Sequence, residues 1–247
     1  MTHSAYPREL ERDIALKDGT SLLLRPIRPE DAPRLIDFYG RLSRHSAYQR
    51  FFSIMRRLPP DWARMLATVD YRRRLALVAE RGPATSPELV GVGRYEPTDD
   101  PDTVEVAFVV QDGFQGLGLG TILLRFLLEA AEARGFRRFR AYVLADNTRM
   151  LDLLSRFTTI RERRIEAGVA DIVFERRQEE PAALSATMEG RSLVVSSQIR
   201  ASAPVAAAAI ANDMRQPVRL IRNWNRMGAM APPIADPPMI TPCTRPR

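Results

Sequence analysis

Two features of this 247-residue sequence carry reactive groups at a telling spacing. The first is Gln115-Gly116-Leu117-Gly118-Leu119-Gly120, inside the stretch VVQDGFQGLGLGT that runs from Val109 to Thr121. It follows a strand-like run and opens a helix-like one. Glycines leave backbone N–H groups unshielded, and a helix N-terminus adds partial positive charge, so such a turn suits a phosphate. Taken alone, the same glycines also serve as a tight strand-to-helix turn. A Walker loop ends in Gly-Lys-Ser/Thr, whereas Gly120 is followed by Thr121 with no lysine nearby. A dinucleotide fold places GxGxxG at the start of repeated βαβ units, whereas this spacing is Gly116-x-Gly118-x-Gly120 after antiparallel strands. The second feature is Glu105, the only carboxylate embedded in the apolar run TVEVAFVV (103–110). A carboxylate withdrawn from water is a candidate proton acceptor. From an alternating strand it can equally point to solvent.

The elements that must hold these groups follow from periodicity and punctuation. Ser21–Ile27 reads as a short strand. Pro29-Glu30-Asp31 opens a helix carrying Leu35, Ile36, Phe38, Tyr39 and Leu42, with acids where the helix dipole favours them. Ser43 is placed to cap a second helix, and Pro59-Pro60-Asp61 to start a third. The period then changes. Leu75–Ala79, Glu88–Tyr95 and Thr103–Val110 are strands separated by Gly-Pro, Ser-Pro and Asp-Pro loops, which suggests an antiparallel meander. Thr121–Arg134 is a helix with Leu123, Leu124, Leu127, Leu128 and Ala131 on one face, stopped by Gly135. Phe139–Leu144 returns as a parallel strand, completing a βαβ unit. Asn147–Phe157 is a helix, and Ile160–Ile165 and Ala170–Arg176 are closing strands. Residues 1–19 read as a mobile leader and 20–177 as the domain. Residues 178–247, with the alanine-rich PVAAAAIA and many prolines, read as a largely disordered tail.

Composition bounds the function. Apolar residues make up 45% of the chain, enough for a core. No run of about 18 apolar residues is present, and the charged opening MTHSAYPRELERD lacks a signal-peptide core, so a cytoplasmic location and no membrane partner are expected. One cysteine, Cys243, excludes an internal disulfide and a cysteine-rich metal site. His3 and His45 are the only histidines and too far apart to suggest a metal, so none is expected. The net charge is +7 and almost every cation is arginine; Lys17 is the only lysine. The excess is spread along the chain without interleaved aromatics, which argues against nucleic acid and fits the arginine bias of a GC-rich genome. Arginines still favour a phosphorylated cofactor.

The order of elements, with the glycine loop between a fourth strand and a third main helix, resembles the GNAT superfamily of N-acetyltransferases over residues 20–177. That family's loop reads Gln/Arg-x-x-Gly-x-Gly/Ala, and Gln115–Gly120 fits every position. Asp18-Gly19, Arg25-Pro26-Ile27-Arg28-Pro29-Glu30-Asp31, Leu42-Ser43 and Arg50-Phe51-Phe52, within Leu16–Phe52, resemble the acetyltransferase domain of bacterial protein-lysine acetyltransferases of the Pat type.

The resemblance implies an α/β (α+β) GNAT fold: a mixed, mostly antiparallel sheet flanked by helices and splayed between its fourth and fifth strands. It implies acetyl-CoA as cosubstrate and an amine acceptor, a protein lysine or a small molecule. Attack would be direct, in a ternary complex with no covalent enzyme intermediate. Glu105 falls where the family has its base. Gln115, Gly116, Gly118, Leu119, Gly120 and Thr121 would cradle the pyrophosphate, and Phe108, Val109 and Val110 would run beside the pantetheine. A backbone N–H from a bulge in that strand would bind the oxyanion. Asn147 falls at the family's asparagine near the pantetheine, and is also a plain helix N-cap. Two departures stand out. Leu154 occupies the position of the tyrosine that protonates the leaving thiolate, with Tyr142 a distant substitute. Thr158-Thr159 replaces the usual Gly-Phe. They leave a non-catalytic acyl-CoA sensor as a rival reading, and a tail-mediated nucleic-acid binder as another. The sequence does not fix the oligomeric state.

Overall fold

The computed structural model describes residues 5–52, 57–83 and 85–177. The expected tail, His3 and Cys243 lie outside the described residues. Eight strands form one sheet: β1 (Arg12–Ala15), β2 (Ser21–Pro26), β3 (Leu75–Arg81), β4 (Glu88–Pro97), β5 (Thr103–Val110), β6 (Arg138–Leu144), β7 (Thr158–Glu166) and β8 (Val169–Arg176). Their order is β1-β2-β3-β4-β5-β6-β8-β7. Five helices accompany them: α1 (Ala32–Gly40), α2 (Arg44–Phe51), α3 (Pro60–Ala67), α4 (Leu119–Glu132) and α5 (Thr148–Phe157).

Residues 12–15 overturn the reading of 1–19 as a leader. They pair antiparallel with 21–24 and form an edge strand of the sheet. A four-residue strand with a mixed pattern leaves little trace in sequence. Its pairing follows from the tight turn at Asp18-Gly19, where Gly19 takes φ 84° and the Thr20 amide bonds the Asp18 carboxylate.

Between β4 and β5 the register is unbroken, from Gly91 opposite Val110 to Pro97 opposite Val104. The expected bulge in β5 is therefore absent; the register shift near this region lies instead between β3 and β4, at Ala79/Glu80. On its other side β5 is parallel to β6 for three pairs only, Thr103–Arg138, Val104–Phe139 and Glu105–Arg140. Beyond Glu105 the two strands part. α5, whose Leu153 comes within 3.8 Å of a Cβ built on Gly120, and the first turn of α4 flank the gap.

α4 packs its leucines at 119, 123, 124, 127 and 128 against one face of the sheet, all at 1% exposure or less. Close approach depends on Gly93, where a Cβ would lie 2.7 Å from a Leu127 methyl. α1 and α2 lie against the opposite face, over β4 and β5. The start of α1 is tied to the sheet by a buried ionic cluster. Arg25 on β2 donates to both Asp31 oxygens at 2.8 and 2.7 Å and to Glu80 on β3, and Arg34 reaches Glu80 at 2.8 Å. Arg25, Asp31 and Glu80 are 3%, 2% and 8% exposed. Burial raises the Asp31 carboxyl, but the Arg25 hydrogen bonds and the Arg28 amide outweigh it and hold its pKa below the usual carboxylate value.

Arg25→Met leaves two buried carboxylates to share the half-exposed Arg34 alone, so denaturant unfolding should show a loss of about 3–5 kcal/mol at neutral pH. Because the Asp31 pKa is depressed on folding, its contribution is present above the ordinary carboxylate range and lost as pH falls through the depressed value. The gap between parent and variant should narrow on that acidic side.

Candidate active site

The parting of β5 and β6 opens a cleft of about 510 Å³. Nine of the eleven residues singled out by sequence line it: Phe108, Val109, Val110, Gln115, Gly116, Gly118, Gly120, Thr121 and Asn147. Leu119 does not, because its side chain is fully buried in the core. Only its backbone belongs to the loop. Glu105 is not part of the lining and sits at the apex, where the strand pairing ends.

Gly116 and Gly118 adopt φ of 80° and 95°, a backbone region that side-chain-bearing residues avoid. Gly118 is the N-cap of α4, and its carbonyl accepts the first helical bond, from Ile122. The amides of Leu119, Gly120 and Thr121 therefore have no partner within the helix. A bare cluster of N–H groups at a helix N-terminus attracts an anion. Beyond Glu105, the side of β5 that turns from β6 offers backbone groups to an extended amide-bearing ligand.

The loop is held by a network that joins it to α2. Asp112 accepts from the Ser43 amide (2.9 Å), the Ser43 hydroxyl (2.7 Å) and the Ser46 hydroxyl (2.8 Å). Ser43 also caps α2 by accepting from the Ser46 amide. Gln115 donates to the Ser46 hydroxyl at 3.0 Å and to the Val110 carbonyl at 3.1 Å. Its side chain braces the loop. Burial raises Asp112, but the three hydroxyl and amide donors win and hold its pKa low. Asn147 likewise acts locally: it caps α5 by accepting from the Met150 amide at 3.2 Å.

Sequence reasoning missed the cations of the lining: Lys17, Arg50, Arg149 and Arg156, against one carboxylate, Asp152. Lys17 is brought in by the β1–β2 turn. Its amide donates to the Leu117 carbonyl at 3.1 Å, and its side chain runs 3.6–4.0 Å from where a Gly118 Cβ would be. Only the type of residue could have hinted at this, since these four come from three separate elements. Their charge suits a polyanionic ligand.

Glu105 shares a sheet face with its cross-strand neighbour Glu96, opposite the α4 face of Val104 and Val106. It is partly buried there. Burial pushes its carboxyl pKa up, Arg50 opposes that, and Glu96 adds to it. A carboxylate whose pKa is raised is a stronger base than an exposed one, and so is better suited to take a proton beside a cleft. Leu154 is 1% exposed and packs in the core, so its side chain does not reach the cleft. Tyr142 is outside the lining, with the Arg140 guanidinium 5.1 Å from its ring centroid, and His45 is exposed on α2. The Thr158 hydroxyl donates to the Leu154 carbonyl at 2.6 Å, so α5 passes straight into β7 where the family has Gly-Phe.

The acetyltransferase (GNAT) family matches residues 43–158. The acetyltransferase PA5475 of Pseudomonas aeruginosa is 34% identical over 139 residues, covering 56% of this chain and 75% of that protein. The acetyltransferase Pat of Mycolicibacterium smegmatis is 30% identical over 147 residues; the match takes in 60% of this chain and 44% of its relative. The crystal structure of the GNAT domain of S. lividans PAT superposes with a TM-score of 0.63 at 35% identity, over 69% of this chain and 99% of that one. The fold of yncA from Salmonella typhimurium, solved with its cofactor acetyl-CoA, is similar at a TM-score of 0.50 and 19% identity, over 67% of this chain and 99% of that one. The mixed sheet expected from the resemblance is the one found.

Two stability measurements probe this geometry. Asp112→Ala removes three acceptor contacts at a solvent-exposed junction and should cost about 1–2 kcal/mol at neutral pH. Because the Asp112 pKa is depressed, that cost should fade as pH drops through its lowered value. Glu105 has the opposite sign. Its raised pKa means the folded state favours the neutral form, so its ionisation costs stability as pH rises through the folded pKa. Glu105→Gln should melt at the same or higher temperature than the parent at pH 7.5, with no gain under acidic conditions.

Proposed function

Because the chain belongs to the acetyltransferase (GNAT) family, we propose that it moves the acetyl group of acetyl-CoA to an amine by direct attack in a ternary complex, with a protein lysine as acceptor. One observation carries the reading: β5 leaves β6 at Glu105, so the opening that reaches an anion-attracting glycine loop starts beside a carboxylate.

On this reading the pyrophosphate lies on the amides of Gly116 to Thr121, between Lys17 and Arg149. The pantetheine lies along the free edge of β5 beside Val109 and Val110, with Phe108 and Asn147 at the walls. An ammonium is not a nucleophile, so the acceptor first loses a proton to Glu105, directly or through water. The amine nitrogen then attacks the thioester carbonyl. A β5 amide in the stretch Phe108–Val110 donates to the oxyanion. The intermediate collapses, the C–S bond breaks and the CoA thiolate departs; the second proton, shed by the former amine nitrogen as the amide forms, passes to that thiolate through water. Lysine as acceptor is supported by the likeness of Leu16–Phe52 to Pat-type domains. Leu154, buried away from the cleft, favours one second reading, a sensor that binds acetyl-CoA without turnover.

Incubation of the protein with acetyl-CoA and a cell lysate, read by mass spectrometry, should reveal new acetyl-lysines. Glu105→Gln should lower kcat/KM by about 10²–10⁴-fold and leave acetyl-CoA affinity, measured by calorimetry, unchanged. Tight acetyl-CoA binding with no CoA release across lysate proteins and a panel of small amines would replace the enzyme with the sensor.

A further inference from the structure

The charges that act on Glu105 come from α2 (Arg50), β4 (Arg94 and its cross-strand partner Glu96) and β6 (its partner Arg140). Two of the three arginines are committed to other carboxylates. Arg94 donates from Nε to Glu96 at 2.8 Å and reaches the Leu66 carbonyl at 3.3 Å. Arg140 donates from Nε to Asp171 at 2.7 Å and makes a second bond to the same carboxylate. A guanidinium already shared with one carboxylate presents a near-neutral pair to a third group.

Arg50 differs. Among the described residues no hydrogen bond or ion pair engages its guanidinium, which rests 4.8 Å from the Phe51 ring centroid and lines the cleft. A partly buried cation without a counter-ion is costly. Burial pushes its pKa down to about 10, Arg94 adds to that, and Glu105 is the first of the groups that oppose it. The relation is reciprocal, since Arg50 is the foremost group favouring the Glu105 carboxylate. Position agrees with charge. Ser43 and Ser46 pin the N-terminal turn of α2 to Asp112 and Gln115, and α2 lies against β5. Arg50, one turn beyond Ser46, is therefore held over the strand that carries Glu105.

We propose that Arg50 is a positioning residue for acetyl transfer, the cation that keeps Glu105 a carboxylate beside the cleft. The inference rests on Glu105 as the base. A protonated Glu105 cannot accept the ammonium proton, and both burial and Glu96 push toward that idle form. Arg50 works against them with a charge that no carboxylate among the described residues shares through a hydrogen bond or ion pair. Its leverage grows when cofactor and acceptor expel water, because the local dielectric falls.

The test is the pH dependence of kcat/KM for a lysine peptide drawn from the lysate targets, at saturating acetyl-CoA, in the parent, Arg50→Gln and Arg50→Lys. The amine's own ionisation is common to all three and cancels in variant-to-parent ratios. Arg50→Gln should move the acid limb to higher pH, with about a tenfold loss at its acidic end that shrinks toward the alkaline plateau. Arg50→Lys, which keeps the charge, should return the limb toward its parental position. Thermal melts verify folding, and Arg50→Met supplies a similar volume if glutamine does not fold. A loss that is uniform across pH overturns the proposal and leaves Arg50 as a wall of the cleft. Full activity of Glu105→Gln is a separate result: it removes the base itself, whatever the Arg50 variants do.

Discussion

The separation of β5 from β6 after Glu105 is the constraint on which the site depends. Parallel strands in a covered sheet normally stay paired, because each parted residue gives up ladder hydrogen bonds. Here pairing stops after three positions. The other edge of β5 remains fully paired to β4, and α4 packs beneath through the gap left by Gly93. The rigid half of the sheet thus presents a straight backbone edge with no β6 opposite it. What the sheet loses in hydrogen bonding, an extended ligand can restore. The same departure exposes the first turn of α4, so edge and helix N-terminus face one opening.

Holding that opening in shape falls to polar groups that do no chemistry themselves. Asp112 and Gln115 join the loop to α2 through Ser43 and Ser46. The Arg25–Asp31–Glu80 cluster fixes the start of α1, which lies on the same face. Much of the likeness that points to Pat-type domains sits in these residues. Arg25 and Asp31 form a buried ion pair, and Ser43 both caps a helix and holds Asp112. A resemblance in sequence can therefore record how a cleft is braced rather than which atoms react in it.

Local signals made the elements legible. The leucine spacing of α4, the Ser43 cap and the glycine loop each depend on neighbours within one turn or one strand, and each appears where expected. Glu105 was legible because one charge in an apolar run is costly wherever the strand lies. What escaped was non-local. β1 is too short to announce itself and is defined by its partner. Lys17, Arg50, Arg149 and Arg156 converge only after the β1–β2 turn, α2 and α5 are assembled around the cleft. Leu119 shows the limit of a motif position: the loop needs its amide, while the core takes its side chain. The expected β5 bulge failed for a similar reason. The parting strand supplies the free backbone that a bulge would otherwise expose.

The same logic bears on the missing tyrosine. On α5 the residues that reach the cleft are Arg149, Met150, Asp152, Leu153, Arg156 and Phe157, and Leu154 points the other way into the core. Replacing Leu154 by tyrosine would thus place a hydroxyl among apolar side chains, not beside a departing sulfur. A coenzyme thiol is acidic enough, at about the pKa of a free cysteine near 8.5, for its thiolate to leave into a cationic site without being protonated in the same step. Arg50 and Arg156 give this cleft that character. In the proposed reaction, departure relies on the field of the lining, and one proton needs a dedicated residue: the one the acceptor must lose before it can attack.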